Sequence, residues 1–247
     1  MTAFTLKIIA LVAMIFDHLA VTFPQYFPME FRAIGRLSWP IFAYLLAEGF
    51  RHTKAPNKFI ERLFMLALIS QIPYSLAITW ASQRDSISWT QAISFVSNTN
   101  IFYTLFLGGV AIMIYQWLQT KDKKIVAFVG AVFPTAVLAE LLTADYGGMG
   151  VLFIFCMYII AEKKHRLVVM GLFSLSQFFP VMLLLTHENF YYSNEMLALH
   201  LMMIGFTLVS VGLVAKYNGE RGLNIKWLFY AAYPVHLAIL SVVAILI

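Results

Sequence analysis

Ile8-Ile9-Ala10-Leu11-Val12-Ala13-Met14-Ile15-Phe16-Asp17-His18-Leu19-Ala20-Val21-Thr22-Phe23 is an apolar run interrupted by an acid and a histidine side by side. A segment of that length and hydrophobicity reads as a helix long enough to cross a bilayer. A charge near its centre costs about 2.5–3.5 kcal/mol on insertion scales, so an ionisable pair there is first read as a functional site.

The rest of the chain supports the intramembrane reading. Of 247 residues, 61% are hydrophobic and 12% charged, against roughly 45–50% apolar and 25% charged in soluble domains. No Ser-, Gly- or Pro-rich linker divides the sequence, so it reads as one polytopic domain over residues 1–247. The first run lacks a small-x-small cleavage pattern and carries Asp17 and His18, so it is expected to stay as a helix rather than act as a cleaved signal.

Polar ends mark nine apolar spans: 6–23, 33–51, 59–80, 100–119, 124–143, 149–161, 167–186, 196–215 and 226–247. The predicted fold is therefore an all-α membrane protein of about nine transmembrane helices. Asp145-Tyr146-Gly147-Gly148-Met149-Gly150 reads as a turn, re-entrant in one version, before the short sixth span.

Lys and Arg favour cytoplasmic connections. Fourteen of the 17 basic residues gather at Lys7 and in even-numbered connections: Arg51, Lys54, Lys58 and Arg62; Lys121, Lys123 and Lys124; Lys163, Lys164 and Arg166; Lys216, Arg221 and Lys226. Arg32, Arg36 and Arg84 are the exceptions. This pattern predicts a cytoplasmic N-terminus and an outer C-terminus. The net charge of +5 is then a topology signal, and no basic-aromatic surface points to nucleic acid. The lone Cys156 offers no internal disulfide. HExxH, CxxC and nucleotide-binding glycine patterns are absent, which argues against a metal site or a nucleotide-hydrolysing pump.

The helices place the remaining polar residues at two depths. At about 1.5 Å per residue, His18 lies roughly 18 Å from the cytoplasmic start of its helix. Arg36, Asn100, Asp145 and Tyr146 lie toward the outer side and His236, ten residues into the last span, reaches mid-depth; they are expected to share an outward-leaning cavity with it. Glu48, Arg51, His52, Lys54, Lys58 and Arg62 form an inner group. Two such sites would suit a donor arriving from the cytoplasm and an acceptor waiting outside.

Several ordered motifs run through the chain: Lys7 with Met14-x-x-Asp17-His18; Gly35-Arg36, then Trp39-Pro40-Ile41-Phe42-Ala43 and Gly49-Phe50-x-His52; Arg62-Leu63 with Gln71 and Tyr74; Asn100-Ile101-Phe102; Tyr146-Gly147-x-x-Gly150; and Tyr233-x-x-His236-Leu237. On these the chain resembles the TraX family, membrane proteins associated with N-terminal acetylation of conjugative pilin and similar to a wider group of transmembrane acyltransferases. The resemblance implies acetyl-CoA as co-substrate, transfer to an exported protein or pilin amine at the outer face, and no metal. Unlike the conjugation protein, this chain starts almost directly at its first helix.

The residue chemistry is compatible with that reaction. A thiol with a pKa near 8.5 leaves readily as thiolate, so the needs are a base for the nucleophile and a donor for the developing oxyanion. His18 is the candidate base and Arg36 or Asn100 the donor. Asp17 does not face His18, being its i+1 neighbour, and is expected to orient Arg36 or a group on another helix. Glu48, Arg51, His52, Lys58 and Arg62 are expected to hold CoA, and Asp145, Tyr146, Tyr233 and His236 to bind the acceptor. Structural alternatives stand beside each assignment: Asp17 and His18 as interhelical glue, Arg36 as a snorkelling anchor, His236 as a buried core histidine, Glu48 and His52 as a helix-end pair, and the Tyr146 glycines as a turn. A glycan O-acetyltransferase and a solute or proton transporter are the rival functions; no internal repeat favours the latter.

Overall fold

The computed structural model describes residues 1–81, 88, 90, 98–119, 123–176 and 194–246. Arg84, Lys121 and the second half of the expected seventh span lie outside them. The described residues form ten α-helices in chain order: α1 (Ala3–Thr22), α2 (Glu30–Gly35), α3 (Ser38–His52), α4 (Pro56–Tyr74), α5 (Ile101–Leu118), α6 (Lys124–Leu141), α7 (Gly147–Ile159), α8 (Lys163–Ser176), α9 (Asn194–Ala215) and α10 (Lys226–Leu246). Six are long and apolar enough to cross a membrane: α1, α4 with the turn that extends it, α5, α6, α9 and α10. The all-α, multi-pass expectation is met at that level. In a bilayer core such helices satisfy their own backbone polar groups, which apolar side chains alone cannot do.

The chain divides into two compact units. One comprises residues 1–42 and 161–229, the other residues 43–160 and 230–247, with boundaries inside α3 and α10. In the first unit α1 packs on α2, and α9 packs on both α2 and α8. Leu6, Ile41 and Met170 are fully buried there. Thr2 caps α1 by accepting a hydrogen bond from the Thr5 amide at 3.3 Å, satisfying one of the donors a helix start leaves open. Lys163 Nζ donates to the Ala215 and Tyr217 carbonyls at 2.8 and 2.6 Å, closing the end of α9.

In the second unit α5 is central, packed by α4, α6 and α7, and Tyr44, Ile112, Ile154, Phe155 and Met157 are buried. Pro73 lies inside α4, and the helix loosens into a π-helical turn over Ser75–Trp80. Proline supplies no N–H to the helix ladder, which explains the change of winding. The Ser241 hydroxyl of α10 donates to the Pro73 carbonyl at 2.8 Å.

The expected span 33–51 is corrected. It is two helices, α2 ending at Gly35 and α3 starting at Ser38. Pro40 has no N–H to give the Arg36 carbonyl and its ring crowds that carbonyl, which favours a break there. The Ser38 hydroxyl instead donates to the Gly35 carbonyl at 2.7 Å. Arg36 therefore sits at a helix junction rather than inside a span.

Candidate functional site

The first group lies about three-quarters of the way along α1. Asp17 Oδ1 is 3.5 Å from Arg36 Nη2 and 3.5 Å from Arg32 Nε. The Asp17 and Arg36 side chains are each about four-fifths buried and Arg32 two-thirds. His18, the next residue, is buried. One carboxylate oxygen faces two guanidiniums. The 3.5 Å separations are ion-pair distances longer than the roughly 2.7–2.9 Å of a charge-assisted hydrogen bond. Phe31, between the arginines and Phe16 of α1, packs edge-on to Phe16 with ring centres 4.9 Å apart.

Gly35 explains how α2 reaches this carboxylate. A Cβ built there would lie 2.3 Å from the Asp17 Cβ. Only glycine lets the helices approach so closely, and the approach brings Arg32 and Arg36, one turn apart, to the same oxygen.

In the second unit Asn100 caps α5, its Oδ1 accepting from the Phe102 amide at 3.0 Å. Its Nδ2 donates to the Ala67 carbonyl at 2.8 Å and to Gln71 Oε1 at 2.9 Å. Gln71 Oε1 also accepts from the Asn100 amide at 3.1 Å, and its Nε2 donates to Ser75 Oγ and the Asn98 carbonyl, each at 3.1 Å. Both residues are fully buried. Both side-chain N–H bonds of Asn100 are thus committed within the protein, which favours Arg36 over Asn100 as an oxyanion donor.

Asp145 and Tyr146 stand on a tied turn between α6 and α7. Thr99 and Ala144 form an isolated bridge, the Asp145 amide donates to the Thr99 carbonyl at 3.1 Å, and the Thr104 hydroxyl donates to the Asp145 carbonyl. Tyr146 and Gly147 have φ of 68° and 49°; glycine adopts that conformation freely, tyrosine against strain. Glu140 Oε1 accepts from the Gly148 amide at 2.8 Å, capping α7. The Asp145 side chain is exposed.

Tyr233 and His236 lie on one face of α10. Tyr233 is buried, with its ring edge-on to Phe102 at 4.9 Å and to His236 at 5.5 Å. His236 Nδ1 is 2.7 Å from the Ala232 carbonyl. A carbonyl only accepts, so Nδ1 carries a proton.

The inner group separates by role. Arg51 Nη2 donates to the carbonyls of Met157 (3.0 Å), Tyr158 and Ile160 (2.5 Å) at the end of α7, and its Nη1 pairs with Glu48 at 3.4 Å. That is the favourable place for a cation on the helix dipole. His52 Nε2 lies 3.8 Å from Glu48 and is largely exposed. Lys54, Lys58 and Arg62 are exposed.

The candidates therefore divide between the units. Asp17, His18 and Arg36 belong to the first; Asn100, Asp145, Tyr146, Tyr233, His236 and the inner group belong to the second. Arg32, Gln71, Glu140 and Thr104 are the additions. Arg32 carried a signal in the sequence, since its i, i+4 spacing to Arg36 places both on one helix face. Gln71 stood among the ordered motifs with no role attached, and Glu140 carried no signal, because the fold alone supplies their partners.

Fold and site define a multi-pass helical membrane protein with a buried carboxylate–guanidinium group on its first helix. The chain belongs to the TraX family, described as TraX protein, whose model matches residues 3–244. It is 29% identical over 245 residues to the probable fimbrial assembly protein FimC, serogroup H1, of Dichelobacter nodosus, covering 97% of this chain and 94% of that protein. No solved structure matches.

Proposed function

We propose that this protein is an integral membrane acetyltransferase that takes an acetyl group from cytoplasmic acetyl-CoA to an amine at the outer face of the bacterial inner membrane. The observation that carries the reading is the Asp17 group: a carboxylate in an apolar helix, beside a buried histidine, held against two arginines. Such a group is costly in a membrane segment and is kept where it serves chemistry.

In the proposed step the acceptor amine attacks the thioester carbonyl. Its excess proton passes to His18, the carbonyl oxygen takes the developing negative charge, and the C–S bond breaks to release CoA thiolate. Arg36 is positioned to stabilise that oxygen, while Asp17 keeps the guanidinium in place. A free α-amino group, with a pKa of about 7.7–8.0, lies close enough to histidine's 6.5 for the proton transfer to be a small uphill step. A hydroxyl acceptor would ask for a carboxylate-braced histidine, and the Asp17 carboxylate faces guanidiniums. The acetyl donor is proposed to approach on the side of the basic connection after α3, where His52 and Lys54 are exposed. The acceptor is proposed to be the N-terminus of an exported fimbrial or pilin-like subunit, in keeping with the FimC relative's name.

The topology proposed with this reading has nine spans and a cytoplasmic N-terminus. Single cysteines at Asp145 and Lys164 in a Cys156→Ser background should then label from opposite sides of the membrane; same-side labelling breaks it. The activity is tested by CoA release from acetyl-CoA supplied to the purified protein with a peptide bearing a free N-terminus. The peptide should gain about 42 Da, an acetyl group in place of a hydrogen. Absence of release with any amine, together with loss of acetyl from envelope glycans when the gene is deleted, would move the reading to O-acetylation.

A further inference from the structure

Residues 58, 62, 65, 69 and 72 recur at intervals of four, three, four and three, so they fall in one stripe about 80° wide on α4. Its lower part is cationic, Lys58 and Arg62, and its upper part apolar, Met65, Ile69 and Ile72, which are 48, 57 and 56% exposed. The opposite face, with Leu63, Leu66, Ala67, Gln71 and Tyr74, is buried. The helix starts at Pro56 after Ala55, with no side-chain cap and no acid in its first turn. Its positive end is thus met by Lys54 and Lys58 rather than by the negative charge it favours. Glu61, exposed on the flank of the stripe, is the one carboxylate nearby in sequence.

Arg62 is held in place. Its Nε donates to the Lys58 carbonyl at 2.8 Å and its Nη1 lies 3.5 Å from the Tyr230 hydroxyl. The guanidinium is fixed along the helix with Nη2 donors left for a phosphate oxygen. We propose that this stripe seats an anionic phospholipid, its phosphate on Lys58 and Arg62 and an acyl chain along Met65, Ile69 and Ile72. The continuity of cationic and apolar exposure selects a lipid over a soluble phosphate, which would use the cations and leave the stripe unused. This assigns Lys58 and Arg62 away from CoA. The start of α6 is the natural control: Lys123 and Lys124 precede exposed Ile125 and Val126, without an anchored guanidinium.

The test is native mass spectrometry of the purified full chain titrated with phosphatidylglycerol and, separately, phosphatidylethanolamine. At about fivefold per cationic side chain near a membrane surface, K58Q/R62Q should weaken phosphatidylglycerol binding roughly 25-fold and leave phosphatidylethanolamine unchanged. R62K, which keeps the charge and loses the fork, should weaken it severalfold, and serves if the double variant does not fold. Ile69→Ser should weaken both lipids. Unchanged phosphatidylglycerol binding overturns the proposal, as does an equal loss in K123Q/K124Q, which would mark generic surface attraction. Loss of acetyl-CoA binding in K58Q/R62Q with lipid binding intact would also overturn it and return both residues to the acetyl donor.

Discussion

Two polar groups interrupt the apolar helices of this protein, and they are built differently. Around Gln71 and Asn100 every side-chain amide N–H has a partner at 2.8–3.1 Å, both residues are neutral, and both are sealed from solvent. Around Asp17 the two guanidiniums stand at 3.5 Å, the members of the group are ionisable, and their side chains retain some exposure. A neutral, fully satisfied network fixes where helices meet, at little electrostatic cost. A charged, loosely paired one stabilises less and keeps donors able to respond to charge that appears nearby. The contrast is between a fastener and the reaction centre proposed above.

His18→Ala is the strongest test of that contrast. It should lower acetyl transfer by about 10²–10⁴-fold, the range of general base catalysis, with the melting transition in detergent close to that of the parent. Near-normal turnover would reduce the Asp17 group to a second fastener.

Gln71→Ala should do the opposite. It strands the Asn100 amide and one Asn100 Nδ2 donor in a buried site, and a stability loss of about 2–4 kcal/mol follows from the desolvation cost of unmade bonds. Activity per folded molecule should be unchanged. A kcat loss in protein that remains fully folded would bring Asn100 back as an oxyanion donor.

Gly35→Ala joins the two effects, because the added methyl meets the Asp17 side chain. Overpacking of this kind costs about 1–3 kcal/mol, and by pushing α2 from α1 it should lower stability and turnover together. Loss of stability alone would separate the Asp17–arginine contact from the chemistry.

The smallest effect is expected at the α6–α7 turn. Gly147→Ala places a side chain at a φ of 49°, a penalty of about 1 kcal/mol, with the Glu140 carboxylate close enough to need to move. Thermal unfolding should register that loss. A larger drop in turnover than in stability would show that the tied turn positions the acceptor.

Much of this was legible in the chain itself. The hydropathy of residues 8–23 and the runs after it determine helices, because a bilayer leaves a backbone no other way to satisfy its polar groups. The same sequence singles out Asp17 and His18, since charge in such a run is conspicuous against its surroundings. What local pattern could not decide is which cation Asp17 meets. The residues 33–51 look continuous by hydropathy, and Pro40 breaks them at Arg36. The close approach at Gly35 then turns Arg32, an outlier in the loop-charge pattern, into a partner of the carboxylate. Arg51 reads as one of a basic cluster until the end of α7, more than a hundred residues away, arrives to receive it. Composition and periodicity act through solvent and so are written locally, whereas pairing depends on which side chains distant segments bring within a few ångströms, and only the tertiary structure decides that.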